Sequence, residues 1–92
     1  MAVKFRKQAI KFLQKTNPED VARIRAQLSR LLLAVEEEGE IPFAELDIKM
    51  MKGKWDGFYR LRVGKVRILF TVNLESAEVE IRTIGTRGDV YK

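Results

Sequence analysis

The residues best suited to chemistry in this chain are cations, and they cluster in the middle of the sequence. Seven lysines or arginines and a single acid, Asp56, lie between Lys49 and Arg67. Guanidinium and ammonium groups bind phosphate oxygens and stabilise negative charge that develops on a phosphate during its transfer. The chain contains no histidine and no cysteine, which excludes a thiol nucleophile, a thiolate zinc site and the usual general base at neutral pH. Any reaction here must use tyrosine, lysine, arginine, a carboxylate or a hydroxyl group.

The net charge of +5 comes entirely from the second half of the chain. Residues 1–48 hold 8 basic and 8 acidic side chains, whereas residues 49–92 hold 10 basic and 5 acidic ones. This concentration favours a polyanionic partner, nucleic acid first, although a basic surface that only aids solubility would have the same composition. No apolar run approaches the roughly 20 residues needed to cross a bilayer, and the first residues lack the apolar stretch of a signal peptide. We therefore expect a cytoplasmic location and no membrane partner.

The N-terminal half has the periodicity of two helices joined by a short turn. Apolar residues at helical spacing predict a first helix over residues 4–15, with a short strand over residues 3–5 left open as an alternative. Asn17 and Pro18 have the residue types of an N-cap and a first helical position, so they predict the start of a second helix. Gly39 is the type of residue that ends such a helix.

From residue 46 onward, apolar and polar residues alternate with the period of β-strands. Gly64-Lys65 and residues 74–77 are predicted to be tight turns, so the strands that they join are antiparallel neighbours. We therefore predict an α+β fold in which a helical hairpin packs on one face of a small antiparallel sheet. One domain is expected over residues 1–92, with the helical hairpin at about 4–39, the sheet at about 45–85 and a functional tail at 86–92.

The predicted turn at Gly64-Lys65 determines which side chains share a face of the sheet. A two-residue turn places Arg62 directly opposite Arg67, and both share with Arg60 the face turned away from the helices. Like charges directly opposite each other disfavour strand pairing by a few tenths to about 1 kcal/mol. A bound anion would relieve the repulsion. The alternative is that the arginine stems only cover the sheet while their charged ends spread into water.

The last predicted strand brings the tail of the chain to the same place. Unbroken alternation aligns Ile68 with Thr83, and the antiparallel direction then ends this strand beside Arg67. Arg87 and Tyr91 follow within a few residues. We therefore expect four basic side chains and a phenol, from three segments, to converge around one phosphate-binding pocket.

These segments resemble the RelE/ParE toxin superfamily, and in particular RelE-like mRNA interferase toxins of type II toxin–antitoxin systems. The resemblance lies in Tyr-Arg-Leu-Arg-Val-Gly at 59–64, Val-Arg-Ile at 66–68 and Arg-Gly-Asp-Val-Tyr at 87–91, which occur in this order. It implies a RelE-like curved antiparallel sheet, ribosome-dependent cleavage of messenger RNA, and no cofactor or metal. It also implies a cognate acidic antitoxin that wraps the toxin in an oligomeric complex. By position, the resemblance assigns functional roles to Arg60, Arg62, Arg67, Arg87 and Tyr91.

RNA is cleaved without a metal when its own 2′-OH attacks the adjacent phosphorus. As a hypothesis, Tyr91 is the general base, with the pKa of its phenol lowered by neighbouring guanidinium groups. Arg62 and Arg67 would stabilise the charge of the transition state, and Arg87 would assist the leaving 5′-oxygen. Tyrosine, with a reference pKa of about 10, is a weak base at neutral pH, so the enzyme should need the ribosome to hold the message in line.

The segment before the predicted hairpin is a basic loop that contains one aromatic side chain. Lys52 and Lys54 are predicted to bind the RNA backbone together with Arg60, and Trp55 is suited to stacking on a base. Packing of Trp55 against the edge of the sheet is an equal alternative. Tyr59 lies on the predicted core face, so we interpret it as a packing residue.

Two other functions compete with the ribonuclease. One is a gyrase-inhibiting toxin of the ParE branch, which shares the fold and binds a protein target without cutting RNA. Arg87 and Tyr91 argue against it, since that branch generally lacks a matching terminal tyrosine and full basic set. The other is a non-catalytic module that binds RNA or the ribosome and leaves the message intact.

Overall fold

The computed structural model describes residues 2–86, in which two helices pack on one face of a five-stranded sheet. The predicted α+β architecture is therefore confirmed. Within the described residues, no helix has the length and apolar character needed to cross a membrane. The elements are β1 (Ala2–Phe5), α1 (Lys7–Lys15), α2 (Pro18–Glu38), β2 (Ile48–Met50), a 3₁₀ turn (Gly53–Trp55), β3 (Tyr59–Val63), β4 (Val66–Asn73) and β5 (Glu78–Gly85).

Helix α2 begins and ends at the predicted residues. The side chain of Asn17 accepts a hydrogen bond from the backbone N–H of Asp20 at 2.9 Å, which satisfies a donor that has no partner inside the helix. Pro18 occupies the first helical position, where its missing N–H costs nothing. Gly39 ends the helix with a φ of 65°, a conformation that glycine adopts without steric strain. These caps hold the helix that covers the sheet.

The N-terminal strand is the main addition to the predicted fold. The sheet has the order β1-β5-β4-β3-β2, and β1 runs parallel to β5 with Val3 opposite Val79, while the other pairs are antiparallel. The alternative strand over residues 3–5 is thus correct, and α1 begins at Lys7. The predicted helix start at residue 4 was wrong because Phe5 packs against the core from a strand, and the apolar pattern alone does not distinguish this from packing in a helix.

The hairpin of β3 and β4 has the predicted register. Val63 lies opposite Val66, and Arg62 lies opposite Arg67. Gly64 has a φ of 60°, the sign that a type II′ turn requires at its first central position. On the helix side of the hairpin, the residues that form the core with α2 are fully buried: Leu61, Ile68 and Phe70.

Strand β5 contains a β-bulge that corrects the predicted pairing of its second half. Phe70 pairs with Ile81, but the register shifts by one residue, so that Ile68 lies opposite Ile84 and not opposite Thr83. Ile81 and Ile84 are both 0% exposed. Strict alternation would put side chains three residues apart on opposite faces, and the extra residue of the bulge allows both isoleucines to enter one core.

Candidate nucleic-acid interface

Arg62 and Arg67 form the centre of the candidate site. The backbone N–H of Arg62 donates to the carbonyl of Asp47 at 3.0 Å, so it points away from β4. The Arg62–Arg67 pair is therefore of the non-hydrogen-bonded kind, in which the two Cα atoms lie only about 4.5 Å apart. Both side chains leave the sheet on the side opposite the helices, which we call the arginine face and which also carries Arg60 and Arg82.

The charges of this central pair are not neutralised by neighbouring acids. Neither guanidinium has a carboxylate within 4.0 Å among residues 2–86. Arg62 is exposed and Arg67 is half-buried. Two adjacent cations without a counterion create a strongly positive local potential, which attracts an anion such as a phosphate group.

Arg60 has a different environment from the central pair. Its Nη2 lies 2.9 Å from Oδ1 of Asp47, and its side chain is 15% exposed while that of Asp47 is 59% exposed. Its Nε is buried and has no hydrogen-bond acceptor. The predicted RNA-binding side chain thus keeps one unsatisfied donor while its outer nitrogen is held by a carboxylate.

The predicted basic loop lies beside Arg60. Lys52 lines a surface pocket of about 270 Å³ together with Arg60 and residues 49–51, so these two predicted RNA-binding residues share one recess. Lys54 is exposed in the 3₁₀ turn and does not line this pocket. The half-buried Trp55 makes an edge-to-face contact with Phe58, with ring centroids 5.3 Å apart. This contact supports the packing interpretation of Trp55.

Leu69 forms an apolar floor between the cations. It lies directly opposite Arg60, on the face that points away from the helices, yet it is 0% exposed. Long arginine side chains cover apolar surface with their stems while keeping their charged ends in water.

Arg82 is a residue of this face that the sequence prediction missed. The bulge places both Arg82 and Thr83 opposite Leu69, because Ile81 and Ile84 on either side of them point into the core. The signal for Arg82 was present in the sequence, since alternation after the core-facing Ile81 places the next residue on the face away from the helices.

The other end of the same face is acidic. Glu78 and Glu80 lie on β5 beside Thr71 and Asn73 of β4, and Lys4 of β1 is opposite Glu80. A polyanion is repelled from these carboxylates and attracted to the arginine end. The positive end of the face therefore lies near the β3–β4 turn, and its negative end lies near the β4–β5 turn.

Strand β5 ends where the prediction requires. Gly85, its last residue, lies opposite Arg67, so the chain leaves the sheet beside the central pair. Thr86 lines a recess with residues 63–66 of the hairpin and with two residues at the start of α2. The predicted catalytic residues Arg87 and Tyr91 lie outside the described residues.

Comparison with known proteins agrees with this fold. A family model described as the ParE toxin of the type II toxin–antitoxin system parDE matches residues 2–91. RelE1 of Methanocaldococcus jannaschii is 30% identical over 90 residues, which is 98% of this chain and 93% of that protein.

Two solved structures extend the similarity to the backbone. The archaeal RelE–RelB complex from Pyrococcus horikoshii OT3 is similar with a TM-score of 0.73 and 28% identity, over 95% of this chain and 94% of that one. The RelB–RelE complex from Methanococcus jannaschii gives a TM-score of 0.66 and 26% identity, over 97% of this chain and 95% of that one. The chain therefore belongs to the RelE/ParE superfamily of toxins from type II toxin–antitoxin systems.

Proposed function

We propose that this toxin is a ribosome-dependent, metal-independent endoribonuclease that cleaves messenger RNA. The observation that carries the proposal is the direct opposition of Arg62 and Arg67 without a carboxylate partner within the described residues. Such a pair costs stability when it is empty and is stabilised by a phosphate that contacts both guanidinium groups.

In the proposed reaction, the 2′-OH of a ribose attacks the adjacent phosphorus, and the bond from phosphorus to the 5′-oxygen of the next nucleotide breaks. Tyr91, in its phenolate form, accepts the proton of the 2′-OH and becomes a neutral phenol. Arg62 and Arg67 stabilise the negative charge on the non-bridging oxygens. Arg87 donates a hydrogen bond to the leaving 5′-oxygen, which takes its proton from solvent because arginine does not release one near neutral pH. The products are a 2′,3′-cyclic phosphate and a free 5′-OH.

The remaining basic residues hold the RNA backbone. Arg60 and Lys52 share one recess, where their positive charges attract a backbone phosphate. The exposed Lys54 adds a charge at the edge of the site. These contacts bind the strand before and during the reaction.

The ribosome would compensate for a weak general base and for the few contacts with which this site positions the RNA. A phenol is a poor base at neutral pH, and the arginine end of the face offers the RNA few contacts other than charges. A message that the ribosome holds with its 2′-OH in line with the scissile bond avoids the entropic cost of reaching that geometry. We therefore expect cleavage of free RNA to be slow.

We further propose that a RelB-like antitoxin binds this toxin in the cytoplasm. The relatives from P. horikoshii and M. jannaschii were solved as complexes of RelE with RelB. A cognate antitoxin with acidic segments would neutralise the +5 charge of this chain and block phosphate binding at the arginine face. An oligomeric toxin–antitoxin complex is expected.

Inhibition of DNA gyrase is a second candidate function. It is favoured by the description of the matching family model, which names the ParE toxin of parDE. In that case the arginine face would bind a protein surface, and messenger RNA would stay intact. A toxin that binds the ribosome without cleaving the message is the third candidate.

The test is a comparison of three assays with the same purified toxin. Programmed ribosomes with a defined message should yield fragments that end in a 2′,3′-cyclic phosphate, and Arg67→Gln should reduce the rate by about 100-fold or more. The control variant Arg30→Gln, at an exposed position on α2, should cleave at the normal rate. Intact message together with inhibited DNA supercoiling would establish the gyrase function. Intact message with tight ribosome binding would establish the third one.

A further inference from the structure

Strand β5 gives the arginine face a further cation, Arg82, which lies next to the β-bulge. Ile81 and Ile84 are both fully buried, so the two residues between them share the opposite face, next to Leu69. Bulges commonly re-aim a side chain beside an active site. Here the bulge turns Thr83 to the arginine face, where Arg82 already lies as the residue after the buried Ile81, and both are half-buried.

Arg82 is free to bind an anion. It has no carboxylate partner in the part of the chain that the structure describes. The nearest acid along the same strand and face, Glu80, is instead 3.7 Å from Nη1 of Arg6. From the usual strand spacing and rise, the Cα atom of Arg82 lies about 8 Å from that of Arg67, so the two cations lie on one path across the sheet.

The bulge is held in place by Gln8. The side-chain amide of Gln8 donates to the carbonyl of Ile84 at 2.9 Å and accepts from its N–H at 3.0 Å. It thereby supplies the pair of hydrogen bonds that a neighbouring strand would make, at a point beyond the end of β1. The backbone is fixed on both sides of the bulge, because the N–H of Arg6 donates to the carbonyl of Ile81 at 2.9 Å.

We propose that Arg82 binds a backbone phosphate of the RNA, on the β5 side of the phosphate held by Arg62 and Arg67. This inference rests on the proposed ribonuclease function and extends its substrate site by one nucleotide contact. RNA is favoured over an acidic protein segment because Arg82 continues the row of unpaired cations across the Leu69 floor. Its contact lies away from the reacting phosphate, so it contributes to binding and not to the chemical step.

The test measures the salt dependence of RNA binding. The probe is a single-stranded RNA of mixed sequence with 2′-O-methyl groups at every ribose, which blocks cleavage. The slope of log K against log salt should fall in magnitude by roughly 0.7 in Arg82→Gln, the contribution of one phosphate contact to a single strand. Arg82→Lys should keep most of the slope, and Arg30→Gln should keep all of it. On programmed ribosomes, Arg82→Gln should raise KM with kcat unchanged.

The outcomes separate this inference from the proposed function. If the wild-type protein cleaves message and Arg82→Gln has the wild-type slope and KM, the inference is wrong and the ribonuclease stands. If the wild-type protein leaves message intact but the slope still falls in Arg82→Gln, the RNA contact stands and the proposed reaction is wrong. Equal slopes for a folded Arg82→Lys and Arg82→Gln would also overturn the phosphate contact, since charge would then not matter. Circular dichroism of each variant checks that it is folded.

Discussion

The central arginine pair should destabilise the free toxin, and the size of this effect follows from the geometry. Arg62 and Arg67 form a non-hydrogen-bonded cross-strand pair. At a charge separation of about 7 Å, two unit charges repel by about 0.6 kcal/mol in bulk water and by about 2.4 kcal/mol at an effective dielectric constant of about 20. Because Arg62 is exposed and Arg67 is half-buried, we expect a repulsion of about 0.5–1 kcal/mol, typical of like charges in direct opposition.

The substitution Arg67→Gln removes this repulsion and keeps a long polar side chain. Its free energy of unfolding should rise by about 0.5–1 kcal/mol, which corresponds to an increase in Tm of about 2–5 °C for a domain of this size. The gain should depend on salt, because the Debye length falls from about 30 Å at about 0.01 M to about 3 Å at about 1 M. At the higher concentration, the variant and the wild-type protein should be nearly equal in stability.

The assay is a double-mutant cycle by urea denaturation at both salt concentrations. The single variants Arg62→Gln and Arg67→Gln and their combination isolate the interaction between the two charges from the effect of each substitution alone. Arg30→Gln on the exposed side of α2 is the control for loss of an arginine elsewhere. Sulfate, compared with chloride at constant ionic strength, should raise the Tm of the wild-type protein more than that of either variant, because it binds the folded pair.

A zero or attractive interaction energy at low salt would refute this reasoning. A zero energy would mean that the guanidinium groups lie too far apart to share an anion, and an attractive energy would mean that they need no anion to lie side by side. Equal stabilisation by sulfate in the wild-type protein and in the double variant would lead to the same conclusion.

Three further predictions concern residues around the pair. Gln8→Met should lower the free energy of unfolding by about 1–2 kcal/mol and speed hydrogen exchange at the Ile84 amide, because both backbone groups of Ile84 lose their partner. Gln14→Met, at an exposed position of the same helix, is the control. An unchanged exchange rate in Gln8→Met would contradict the role of Gln8 in holding the bulge. Asp47→Asn removes a negative charge from the basic region and should tighten binding of uncleavable RNA by about 2- to 5-fold. The stability loss should stay below about 1 kcal/mol because the Asp47 side chain is 59% exposed. Weaker RNA binding in the variant would show that Asp47 positions Arg60 for RNA. If Tyr91 is the base, the rate of single-turnover cleavage on ribosomes should rise from about pH 7 to about pH 9 as more phenolate forms. Tyr91→Phe should cleave slowly and lack this rise. An identical pH profile in the variant would remove the phenol from the mechanism.

The local parts of the fold could be predicted from the sequence because the signals are local. Asn17 and Pro18 define a helix start from neighbouring residues alone. The two-residue turn at Gly64-Lys65 is sufficient to fix the opposition of Arg62 and Arg67, since a hairpin register follows from its turn. The most specific element of the candidate site was therefore predictable.

The parts that were missed depend on pairing between distant segments. Strand β1 pairs with β5 across most of the chain, and four residues are too few for a period of two to be separated from a helical one. The bulge that turns Thr83 to the arginine face depends on the burial of Ile84 in the core, which only the packed structure decides. The bond between Gln8 and Ile84 joins residues 76 positions apart, and nothing near either residue in the sequence indicates it.

The central claim is that the arginine face binds the phosphate backbone of RNA, and NMR of the arginine side chains tests it most directly. Titration of the ¹⁵N-labelled toxin with the 2′-O-methylated RNA should shift the Nε–Hε signals of Arg62, Arg67 and Arg82. Those of Arg25 and Arg30, exposed on α2, should stay in place. Shifts confined to the α2 arginines, or no shifts at RNA concentrations that saturate binding, would contradict the account.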